Sequence, residues 1–198
     1  MTEPAPPVAP PQPSPAERAR VAAEVGKALQ AAHAALRRGE FDTADRQIAA
    51  ADRLAGDDER LADRATHWKQ LAVYARQFPN LRDEAMKVAV GDLDVGRTRI
   101  SVIESTPDIF KYKSAGTIKR IPPADVPRPI VNAIVRNWFA ANDQPGNHVY
   151  LGCDLILLDP PDIAAAREEW RIAKRGGQNV EFLEPLLDDP IIRDAARQ

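Results

Sequence analysis

GDLDVGRTRISVIESTPDIFKYKSAGTIKRI, residues 91–121, breaks the helical period that the chain keeps on either side of it. Within it Asp92–Val95, Thr98–Ser105, Ile109–Lys113 and Thr117–Ile121 are short and rich in β-branched and aromatic residues. Turn signals separate them: Val95-Gly96, Ser105-Thr106-Pro107-Asp108 and Ser114-Ala115-Gly116. The segment reads as a four- or five-stranded antiparallel unit closed into a small barrel. A sheet this small needs helices packed against it to be stable.

Helical patterns flank it. Seven of the eighteen prolines fall in residues 1–15, where Glu3 is the only charge, so this stretch reads as a disordered Pro-rich tail. Ser14, Pro15 and Glu17 then make a capping box, with proline at the first helical position. Val21, Val25, Ala28, Leu29, Ala32 and Leu36 follow at helical spacing as far as Arg37-Arg38-Gly39, a basic last turn and a glycine stop. A second helix is predicted over 42–55. A third is predicted over 57–78, ended by Pro79, with Asn80 capping one more short helix.

Beyond Pro122-Pro123, the stripe Ile130, Ile134, Val135, Trp138 and Phe139 marks a helix. Others are predicted over 147–158 and from Asp162 to Gly176-Gly177. Phe182, Leu183, Leu186, Leu187 and Ile191 form a terminal capping element. The domain order is therefore a tail (1–15), an N-terminal helical region (16–89), a barrel (90–121) and a C-terminal helical region (122–198).

The apolar fraction of 44% permits a full core, while a formal net charge of -2 rules out a global field that would draw in nucleic acid or membrane. The barrel segment leans positive, with six basic residues against four acidic. Cys153 is the only cysteine, which excludes an internal disulfide framework and points to a reducing, cytoplasmic setting. No leader pattern opens the chain, and no apolar run approaches the roughly 20 residues of a membrane helix. No membrane partner is expected.

An internal repeat links the two helical regions. Phe41, Ala44, Ile48 and Ala51 share the spacing of Ile163, Ala166, Trp170 and Ala173, and each run follows a helix and a turn. Gly39, Phe41, Ala44 and Ala51 occupy the positions at which tetratricopeptide repeats place a turn glycine, an aromatic and two crossing alanines. The chain resembles that family over both units. In the second unit Pro161 stands in place of the turn glycine, and in the first the leading helix carries Ala28 and Ala32 where the family has larger residues. The expected fold class is α+β, mainly helical, with tetratricopeptide-like (TPR-like) hairpins flanking a small antiparallel SH3-like β-barrel. The domain order is also similar to that of planctomycete-type bacterial proteins, a resemblance that implies no activity.

Candidate chemistry is sparse. His33, His67 and His148 lie on three different predicted helices without a second ligand at helical spacing, so they read as structural or surface residues. Cys153 reads as a small buried hydrophobe, because His148, five residues before it, falls on nearly the opposite helix face. Asp92 and Asp94 share one side of a strand and read as solvating charges. No phosphate-binding glycine pattern occurs. No catalytic residue, metal or cofactor is assigned.

Phe110-Lys111-Tyr112-Lys113 with Lys119-Arg120 is the one cluster that suggests a ligand, since alternating aromatic and basic residues on small-barrel strands bind single-stranded nucleic acid. Strand alternation puts the aromatics and lysines of 110–113 on opposite faces, favouring core aromatics and solvent-side cations. The expected function is a non-enzymatic protein-interaction or scaffold module with an unidentified protein partner. The rival is nucleic-acid binding through Lys111, Lys113, Lys119 and Arg120. Oligomeric state is left open.

Overall fold

In the computed structural model, residues 14–141 and 144–197 are described. The Pro-rich segment expected over 1–15 lies outside them except for Ser14 and Pro15. The architecture is α+β and mainly helical, with seven α-helices and one four-stranded antiparallel sheet among the described residues.

Helix α1 (Pro15–Arg37) starts on the expected capping box: the Ser14 hydroxyl accepts from the Glu17 N–H, and the Glu17 carboxylate accepts from the Ser14 N–H. It ends where Gly39 takes φ 73°, letting the Glu40 N–H reach the Ala35 carbonyl at 2.9 Å. Helix α2 (Phe41–Ala55) folds back on α1, burying Ala44, Ile48 and Ala51. Helix α3 (Glu59–Lys87) is capped by the Asp58 carboxylate.

The helix break predicted at Pro79 is absent, because α3 runs straight through that residue. Proline there removes one N–H, at a cost of about 3 kcal/mol in an isolated helix. Packing on both sides outweighs it. Leu71, Ala72 and Ala75 sit in one hydrophobic cluster, while Ala85 sits in a second that Phe78, Leu81 and Met86 also pack against. One helix therefore serves two cores.

The strands β1 (Gly91–Val95), β2 (Thr98–Ser105), β3 (Phe110–Ser114) and β4 (Thr117–Ile121) form a simple meander in the order β1-β2-β3-β4. The expected closed SH3-like barrel is not formed: no ladder joins β1 to β4, and the sheet is open. Closure is unnecessary because a helix buries the sheet's apolar face. Leu93, Ile100, Val102, Phe110 and Tyr112 pack with Ile130, Ile134, Val135 and Phe139 of α4 (Arg128–Ala141). The register slips between Val102 and Glu104, leaving Ile103 as a 43% exposed bulge residue.

Helices α5 (Pro145–Ile156) and α6 (Ile163–Arg175) make the second hairpin. α6 begins at Ile163 as α2 begins at Phe41, and it buries Ala166, Trp170 and Ala173 at the repeated positions. The closing 3-10 turn (Glu184–Asp188) and α7 (Pro190–Ala195) add Leu186, Leu187 and Ile192 to the core. Leu183 is buried there too, whereas Phe182, expected in the same capping element, is 49% exposed. Both hairpins, the first half of α3 and the closing segment share one cluster, and the sheet with α4 and the end of α3 forms the other.

Candidate binding cleft and sheet edge

The strand register fixes where the basic residues point. Lys111 pairs with Arg120, Tyr112 with Lys119, and Lys113 with Ile118. Directly paired residues share a face, so Lys111, Lys113, Arg120 and Ile118 lie on the face away from α4. Lys119 falls on the opposite face, with Tyr112. The structure thus brings three of the four candidate cations together and separates the fourth. Phe110 is fully buried and Tyr112 is 4% exposed, so neither aromatic of that stretch stands beside those three cations.

The other sequence candidates resolve into structural roles. Asp92 accepts a hydrogen bond from the Ser101 hydroxyl and pairs with Arg99 at 3.1 Å, which holds its carboxyl below the usual range. His33 is buried edge-on to Trp68, with ring centroids 5.7 Å apart. His67 lies 6.5 Å from the Phe182 ring. His148 Nδ1 is 2.7 Å from Glu169 Oε2, clipping α5 to α6. Cys153 is buried, its thiol pushed up by desolvation. Among the described residues no group of three or more His, Cys, Asp or Glu is placed to hold a metal, and no helix is long and apolar enough to cross a membrane.

A hollow lies where the two cores meet. A cleft of about 710 Å³ opens between the α1–α2 turn, the second half of α3, the β2–β3 turn, the start of α4 and the end of α5. Its floor is apolar: Leu36, Phe41, Phe78, Met86, Val131 and Leu157. Its cations are Arg37, Arg38, Arg82, Lys87 and Arg128, and its acids are Asp83 and Asp154. Most of the cations have an exposed local partner. Arg38 forks onto Glu40 at 2.7 and 2.9 Å, Arg82 meets Asp83 at 2.9 Å, and Lys87 meets Glu84 at 2.6 Å. Exposed pairs of this kind contribute about 0–1 kcal/mol and exchange readily for a ligand carboxylate.

Asp154 differs from the rim acids. Its side chain is only 16% exposed, it accepts no hydrogen bond among the described residues, and its nearest cation, Arg128, is 3.7 Å away. Burial raises its pKa, opposed by Arg128, Arg136 and Arg82. A poorly solvated carboxylate gains from a ligand N–H or O–H donor.

Sequence reading missed this cleft because its side chains come from five separate segments. Arg37 and Arg38 read as a helix terminus, and the break assigned at Pro79 put Arg82 on a separate short helix. No family model, no curated protein and no solved structure matches the chain.

Proposed function

We propose that the protein is a non-enzymatic protein-interaction module whose cleft seats a short segment of a partner protein. The observation that carries this reading is the joining, in one hollow, of an apolar lining, exchangeable cations and the poorly solvated Asp154 carboxylate. An extended peptide answers all three, with apolar side chains for the floor, an acidic side chain for the rim and a donor for Asp154. The two hairpins and their repeated alanine run support a tetratricopeptide-like reading of the helical part, and such helix pairs present grooves to peptides. The single buried cysteine fits a reducing cytoplasm.

The test is selection of a displayed random-peptide library against the full chain. Enriched peptides are expected to combine apolar and acidic residues, to lose binding to the Arg82→Glu, Arg128→Glu double variant, and to keep binding to the Lys113→Glu, Arg120→Glu variant. Enriched peptides insensitive to the cleft changes would overturn the reading.

Nucleic-acid binding is the second reading, favoured by the convergence of Lys111, Lys113 and Arg120 on one face. It predicts oligonucleotide affinity that falls steeply with salt and disappears when these residues and Lys119 become glutamine. The burial of Phe110 and Tyr112 counts against it, since it leaves those cations without a stacking platform.

A further inference from the structure

The sheet ends at β4, and nothing among the described residues pairs with its outer edge. Thr117, Ile118, Lys119 and Arg120 are all exposed, Ile118 by 56%. A free strand edge offers a row of unpaired N–H and C=O groups to another chain. Most cations around the cleft are paired. Lys111, Lys113, Lys119 and Arg120, by contrast, have no acidic partner within ion-pair distance among the described residues. Glu104 stands opposite Lys111 on β2, but Lys113, Lys119 and Arg120 face no acid across the ladder, and this excess of cations repels a second copy of β4, whose Lys119 and Arg120 would approach their own kind. The same charges attract an acidic strand.

We infer that β4 is a docking edge for an extended acidic segment of a partner protein, which adds to the sheet as a fifth strand. Main-chain hydrogen bonds hold such a segment and its side chains set the choice of partner. Register dictates the preference: acidic residues opposite Lys119 and Arg120, one on each face, and an apolar residue opposite Ile118. Lys111 and Lys113, one strand further in, add long-range attraction that salt weakens. Nucleic acid fits this edge less well, because it brings no strand amides to the open ladder. The inference does not depend on the cleft being a binding site.

Two labelled peptides test it on the full chain: Thr-Glu-Glu-Val-Thr for antiparallel addition and Thr-Val-Glu-Glu-Thr for parallel. At least one is expected to bind at low salt and to slow amide exchange at residues 117–121. Lys119→Glu with Arg120→Glu is expected to weaken binding about tenfold or more, with unchanged circular dichroism. Methylating alternate backbone nitrogens of the peptide, which leaves its charge intact, is expected to abolish binding.

Equal binding of the methylated peptide would overturn strand addition, as would failure of both peptides to bind. Oligo(dT) binding in place of the peptides would assign the cations to nucleic acid and overturn the proposal. Loss of peptide binding in the Arg82→Glu, Arg128→Glu variant, with none in the β4 variant, would place the acidic segment in the cleft and overturn it too.

Discussion

The Trp68 indole Nε1 donates to the Asp189 carboxylate at 3.1 Å although 121 positions separate the two residues. Asp189 is 6% exposed and also accepts a forked pair from Arg64, at 2.8 and 3.0 Å, and the Ile191 N–H at 2.9 Å. One carboxylate therefore caps α7 and binds the closing segment to α3. Asp189→Ala leaves Arg64 and Trp68 without their acceptor, and a loss of about 3 kcal/mol is expected in chemical denaturation. Asp189→Asn keeps one acceptor oxygen and loses less.

The second hairpin closes on a glycine. A Cβ built at Gly152 would lie 2.2 Å from Trp170 Nε1, which donates to the Val149 carbonyl at 3.1 Å. Gly152→Ala must displace a fully buried indole, and a destabilisation of about 1–3 kcal/mol is expected. Gly26, inside α1, has nothing within 4 Å of the same added atom. Gly26→Ala is expected to stabilise by about 0.5–1 kcal/mol. Thermal melting of the two variants should shift in opposite directions.

His33 is 5% exposed, and its Nε2 has no partner. Burial, reinforced by Arg37, lowers its pKa from 6.5 to about 4, against smaller opposing effects of Asp189, the Ile156 carbonyl and Asp159. The unfolded imidazole takes up its proton first as pH falls. The contribution of neutral His33 is therefore complete above pH 6.5 and is lost as pH drops from 6.5 toward 4. The loss amounts to about 3 kcal/mol. Denaturation curves across this window should fall more gently for His33→Gln than for the parent.

The β3–β4 turn carries Ala115 at φ 48° and Gly116 at φ 81°. Two left-handed residues are what a two-residue hairpin turn of the right twist requires, and alanine is the less suited of this pair. Ala115→Gly or Ala115→Asn is expected to stabilise the protein by about 0.5–1 kcal/mol without changing peptide binding at β4. Both effects are readable in one thermal and one titration series.

Local signals were legible where local physics dominates. The capping box at Ser14, the glycine at position 39 and the Gly96 and Ala115-Gly116 turns all stand where spacing placed them, and the four strands match to within a residue. Two readings failed for tertiary reasons. Pro79 did not stop α3, because two separate cores hold the helix on either side of it. The barrel stayed open because α4 covers Phe110 and Tyr112, work that strand closure would otherwise do. The cleft was invisible in sequence since Arg37, Arg82, Arg128 and Asp154 meet only through packing. The cations of β3 and β4 were visible, and what the fold adds to them is the open edge.

Photo-crosslinking from within the cleft tests the interaction reading most directly. A benzophenone amino acid placed at Val131, on the cleft floor, and at Val73, exposed on α3 away from it, would be irradiated in a lysate of the source cell. A discrete protein adduct is expected from position 131, absent from position 73 and lost when Arg82→Glu and Arg128→Glu are added. The same adducts from both positions, or adducts from position 131 that survive those two substitutions, would contradict a partner seated in the cleft.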